Sequence, residues 1–167
     1  LMSAPQPIID ALRDHVQQAI PWVQVDEFPE RPEDYQFIHP TGAVLVAYQS
    51  SQFTRIEGLG HIAQQRDITL QLTVIGASLH GESGALAILD AVRLAVVGFA
   101  PPNCLPCHLI REQFLSETAG AWQYALTVQT ETQQVEHRQP ENLTTLVRTL
   151  HRQRGAPLDP QLQPKQP

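Results

Sequence analysis

Residues 62–78 read IAQQRDITLQLTVIGAS, and their alternation constrains the fold more than any other stretch of the chain. Ile68, Leu70, Leu72 and Val74 fall on one side of an extended segment, and Asp67, Thr69, Gln71 and Thr73 fall on the other, because successive side chains of a strand point to opposite faces. Such a strand belongs in a sheet with one face packed on a core and a polar outer face.

The neighbouring segments supply that sheet and its cover. Ile8, Ile9, Leu12, Val16 and Ile20 recur at helical spacing until Pro21, so residues 6–20 predict an amphipathic helix. WVQVDEF reads as a short strand. PERPEDYQFIHPTG reads as an acidic surface loop, with a short strand at Tyr35–His39. AVLVAYQSS is an apolar run rich in β-formers and predicts a strand buried on both faces. QFTRIEGLGH then connects to the alternating strand.

HGESGALAILDAVRLAVVGF predicts a helix, with Glu82 or Ser83 capping its start and Gly98, Pro101 and Pro102 ending it. Its apolar residues nearly encircle the axis, which predicts a central core helix covered on several sides. HLIREQFLSE and AWQYALTVQTET read as two strands of a hairpin around a turn at Thr118–Gly120, with Trp122, Tyr124, Leu126 and Val128 on one core-facing side.

The fold class that follows is α+β: one mostly antiparallel or mixed β-sheet flanked by helices. Residues 1–135 form the body. Residues 136–154 carry Leu143, Leu146, Val147 and Leu150 at helical spacing and predict a C-terminal amphipathic helix, with basic residues late in it. Residues 155–167 form a Pro/Gln-rich tail, expected to be extended or disordered when unbound.

Charge narrows the function classes. Residues 1–135 hold 6 Lys/Arg against 14 Asp/Glu, whereas residues 136–167 hold 5 against 3. So acidic a body lacks the cation clusters that displace counterions from nucleic acid, and no sequence-specific nucleic-acid binding is expected. No apolar run reaches the roughly 18 residues of a membrane helix, since Asp90 and Arg93 interrupt the nearest one. The first residues lack a basic start followed by an apolar run, so no export signal is expected. Two cysteines are then expected as free thiols in a reducing compartment.

Those cysteines lie in NCLPCHLI, where Cys104, Cys107 and His108 spell C-x-x-C-H. The spacing matches a haem attachment site, a thioredoxin-like pair or half of a zinc site. Each reading lacks a part. Haem wants a second axial ligand, and the sole methionine is Met2. A redox pair sits at a helix start, whereas this pair follows a helix end. Zinc needs four ligands, and no second ligand pair stands at a characteristic spacing. The plain reading is a proline-containing connector. A small redox or metal-binding protein using Cys104, Cys107 and His108 is the alternative function.

No phosphate loop, G-x-S-x-G or H-E-x-x-H occurs. DEFPERPED gathers five carboxylates around Arg31 without the spacing of a calcium loop, and reads as solvated.

Three segments in order, TGAVLVAYQSS, then QQRDITLQLTVIGASLHGESGALAILDAVRLAVVGFAPP, then EQFLSETAGAWQYALTVQTET, resemble the Mu-like family of phage tail proteins. That family is related to the tail terminator, or tail-completion, proteins of long-tailed phages and of phage-derived contractile particles. The resemblance covers roughly residues 5–135 and rests on a G-A-x-x-x-L-D-x-V-R helix and a G-x-W-x-Y strand. It implies a tail-terminator-like fold and a homo-hexameric ring that caps the head-proximal end of the tail tube, stops its polymerisation and joins the neck.

The partners so implied are the chain itself, the tail tube protein and the neck or head-completion proteins, with the sheath as a further candidate. The implied place is the virion tail, assembled in the host bacterial cytoplasm. No enzyme activity, catalytic residue, metal or cofactor is implied, and no membrane. A closed ring needs one patch of each subunit to meet a different patch of its neighbour. Candidate contacts are Phe53, Arg55 and Ile56 in the glycine-containing connection Ser51–His61, and Leu143, Leu146, Val147 and Leu150 near the C-terminus.

Overall fold

The computed structural model describes residues 4–36, 39–56, 58 and 60–137. Leu1–Glu136 form one compact unit, and every element described belongs to it. In chain order these are α1 (Pro5–Ala19), β1 (Gln24–Glu27), β2 (Gly42–Phe53), β3 (Ala63–Gly76), α2 (Ala85–Val96), β4 (His108–Thr118) and β5 (Ala121–Val135). The fold is α+β. Five strands form one mixed sheet in the order β1-β2-β3-β5-β4, parallel between β1 and β2 and antiparallel elsewhere.

The alternation in β3 sets which face is covered. Ile68, Leu70, Leu72 and Val74 are all fully buried. Register places Leu72 between Val46 of β2 and Leu126 of β5, and Val74 between Val44 and Tyr124. Onto this face α1 brings Ile8, Ile9, Leu12 and Val16, and α2 brings Ile88, Leu89, Val92 and Val96, in one continuous core.

Gln17 fastens α1 to β1. Its side chain donates to the Val23 carbonyl at 2.9 Å and accepts from the Val25 amide at 3.0 Å. Near the same end of α1, the His15 ring stacks on Phe99 at 4.0 Å between centroids and lies 2.8 Å from the Ala95 carbonyl.

The other face is polar along Asp67, Thr69 and Gln71, but Ala43, Leu45 and Ile75 on it are buried. Tyr35 lies beside Asp26, its phenol pKa raised by burial and then by that carboxylate.

Several expectations need correcting. Pro32–Asp34 form a 3-10 turn, and Tyr35, Gln36 and His39 are not in a strand; Phe37 and Ile38 lie outside the described residues. β2 is buried throughout only from Gly42 to Val46, because beyond Ala47 it runs past the helices. It also extends through Phe53, so Ser51–Phe53 belong to the strand and not to the connection.

Neither Glu82 nor Ser83 caps α2; Gly84 is the N-cap and makes no side-chain bond. The first amides of α2 are instead satisfied by the preceding loop, Ala85 donating to the Ser78 carbonyl at 2.7 Å and Leu86 to that of Leu79 at 3.2 Å. α2 is buried along Ala85, Ile88, Leu89, Val92 and Val96, while Leu94 is 79% exposed.

The β4–β5 hairpin matches its sequence reading. Its turn residues Ala119 and Gly120 have φ of 52° and 81°, the left-handed pair of a tight two-residue hairpin. β4 is an edge strand with two register shifts against β5, leaving Ile110 and Leu115 without a partner in the ladder.

Candidate assembly surfaces

The Cys104–His108 segment closes α2 onto β4, and its backbone is tied at many points. The Gly98 amide donates to the Cys107 carbonyl at 2.9 Å and the Cys107 amide to that of Phe99 at 2.8 Å. The Leu105 amide donates to the Glu131 carbonyl at 2.8 Å. The hydroxyls of Thr130 and Thr132 donate to the carbonyls of Leu105 and Asn103 at 2.6 and 2.7 Å. The two threonines are buried, so their polar side chains serve this connection.

Both cysteine thiols are free. Burial pushes the Cys104 thiol up from its ordinary value, against the pull of Thr130, Thr132 and Arg66. Burial, and then the neighbouring Cys104, push Cys107 from 9.0 up to about 11. A reactive cysteine has the opposite shift, toward thiolate. His108 is exposed and pairs in register with Gln129, on the polar face of the sheet. Among the described residues no three His, Cys, Asp or Glu side chains are grouped as metal ligands.

The thiol environment carries a pH consequence. The folded pKa of Cys107 lies above the unfolded one, so its contribution to stability is full below pH 9.0 and fades as pH rises toward about 11. In a timed iodoacetamide pulse near pH ~8, Cys107 is expected to stay unmodified in the folded protein and to react on denaturation. Mass spectrometry reads this, and rapid native-state labelling would show that the connector opens.

Candidate contact residues on the β2–β3 side stand where a partner could reach them. Phe53 ends β2 at 52% exposed, and Ile56 is 56% exposed. Arg55 between them is exposed. Arg66 lies opposite Phe53 in register, its guanidinium 5.8 Å from the ring centroid, and donates to the Ser51 hydroxyl at 2.9 Å. Val135 and Leu105 are also exposed and line a groove that the connector at Asn103, Cys104 and Leu105 forms with the paired start of β3 and end of β5. Leu143, Leu146, Val147 and Leu150, the expected helix 136–154 and the tail 155–167 lie outside the described residues.

A second surface was not anticipated from the sequence. Leu86 and Leu94 on α2 and Val97 just past its end are exposed, as is Phe114 on β4. Phe114 packs against Tyr124 at 5.5 Å and Trp122 at 6.1 Å between ring centroids. Arg93 links helix to strand, donating to Glu112 at 2.6 Å and to Asp90 at 2.7 Å. Its pKa is raised, chiefly by Glu112.

Exposed apolar side chains thus stand on two sides of a small α+β domain, of the kind that marks contact surfaces, while Cys107 is buried and Cys104 half-buried. The family model of the Gp37 protein matches residues 13–152. The chain belongs to the Gp37 protein family, which is phage-associated.

No curated protein matches. A solved chain described as "Virion of native gene transfer agent (GTA) particle" is similar at 16% identity and a TM-score of 0.49, covering 78% of this chain and 96% of that one. A likeness at that distance does not transfer a role.

Proposed function

We propose that this protein is a structural component of a phage or phage-derived particle, and within it the tail terminator. In this reading copies of the chain form a ring, six in number, on the head-proximal end of the tail tube. The ring ends tube growth and presents a surface to the neck. Membership of the Gp37 family over residues 13–152 is the observation that carries the particle assignment. The order of segments shared with tail-completion proteins favours the terminator role. Exposed apolar side chains on two sides of the domain suit a heterologous ring, in which each subunit offers two different patches. Phe53, Arg55 and Ile56 serve as one contact, and Leu143, Leu146, Val147 and Leu150 as another.

Two measurements test this. Light scattering on a size-exclusion column is expected to give a mass near six times 18.6 kDa. Particles produced without this protein are expected to carry overlong, irregular tubes with no heads attached. Tubes of uniform normal length in its absence would overturn the terminator role.

A further inference from the structure

Helix α2 turns an apolar stripe outward. Leu86, Asp90, Arg93 and Leu94 share one side of the helix, since steps of three and four residues return to the same side, and Val97, the C-cap residue, follows at its end. Leu86 is 40% exposed, Leu94 79% and Val97 55%. Across the Arg93–Glu112 bridge, Phe114 continues the apolar area onto β4 at 52% exposed. The rim is negative. Asp90 and Glu112 share the single guanidinium of Arg93, so this group keeps a surplus carboxylate. Glu117, in register with Trp122 on the same face of β4, adds another.

The chain carries the complement of this surface in its own sequence. Leu143, Leu146, Val147 and Leu150 follow the spacing i, i+3, i+4, i+7. Arg148, Arg152 and Arg154 accompany them, and no carboxylate stands between Glu141 and Asp159. A segment with leucines at helical spacing and several arginines matches a surface of exposed leucine, valine and phenylalanine whose carboxylates outnumber its one arginine.

We propose that the α2–β4 surface of one copy receives residues 141–154 of a neighbouring copy. The leucines of that segment cover Leu86, Leu94, Val97 and Phe114. Its arginines face Asp90, Glu112 and Glu117. The contact joins two different patches, so repeating it around an axis closes a ring. This deepens the ring-forming reading above and rests on it.

The test uses the full chain with Leu94 replaced by the photo-crosslinking residue benzoylphenylalanine. Irradiation is expected to give covalent dimers on a denaturing gel, with the cross-link mapping to residues 141–154. Leu94→Arg, at an exposed position where the fold is retained, is expected to weaken association at least about tenfold by light scattering, and Arg148→Glu with Arg152→Glu to do the same. Covalent dimers that map elsewhere, cross-links confined to one chain, or a Leu94→Arg protein that assembles like the parent would each overturn the proposal. If the parent protein assembles but cross-links elsewhere, this contact is wrong and the ring stands. A parent protein that stays monomeric and yields no covalent dimer removes this contact, while tube length decides the terminator role separately.

Discussion

Leu72→Ala is expected to destabilise the folded domain by about 3–4 kcal/mol, the range of a fully buried leucine whose site cannot collapse. Leu72 sits on the central strand with Val46 and Leu126 on either side, in the core shared with both helices. It is completely excluded from solvent. Neighbours on two strands are held in place by the ladder, so the lost side chain leaves a cavity that backbone movement does not fill. Urea unfolding at a fixed protein concentration reads the effect, as a lowered midpoint with an unchanged slope. A shift below about 1 kcal/mol would mean that the helices settle into the space, and that their packing on the sheet is looser than described.

Gly76→Ala is expected to cost about 3 kcal/mol, more than a small-to-large change in a yielding site, because the obstacle is backbone. A Cβ at this position would lie 2.7 Å from the Ala85 amide nitrogen, 2.8 Å from its Cα and 2.8 Å from its Cβ. The end of β3 and the start of α2 touch there without a side chain between them. The Ala85 amide is also bonded to the Ser78 carbonyl, so moving the helix breaks that bond. Adding Ala85→Gly removes only the Cβ contact, so the double variant should recover part of the loss and not all of it. Full recovery would show that the helix start is free to shift.

The sheet was legible because its residues carry a period. The alternation from Asp67 to Val74 announced one covered and one polar face, and the structure has the helices on the side it indicated. The β4–β5 hairpin was legible from its turn and from Trp122, Tyr124, Leu126 and Val128 on one side.

Other features turn on facts that no local pattern holds. Tyr35–His39 has strand-forming residues, but Pro32–Asp34 close into a turn ahead of it. The encircling apolar residues of α2 read as cover on several sides, yet an exposed leucine has the same letter as one inside the core. Leu94, Val97 and Phe114 were therefore missed, whereas Phe53 and Ile56 were found because a glycine-containing connection marked them as peripheral. C-x-x-C-H is a related case. Its spacing fixes which residues are near in sequence, but burial and Thr130 and Thr132 decide what the thiols do.

The two bulges in β4 bear on how this protein can associate at all. An edge strand of eleven residues with regular geometry would offer its free amides and carbonyls to any similar strand. Ile110 and Leu115 each break the repeat, twisting the strand and spoiling the spacing that a docking strand would need. Backbone-to-backbone growth has no natural end, since every added strand exposes a new edge. Contacts made through side chains are exhausted once their patches are filled. An edge spoiled in this way leaves side-chain patches as the surfaces through which this chain can associate.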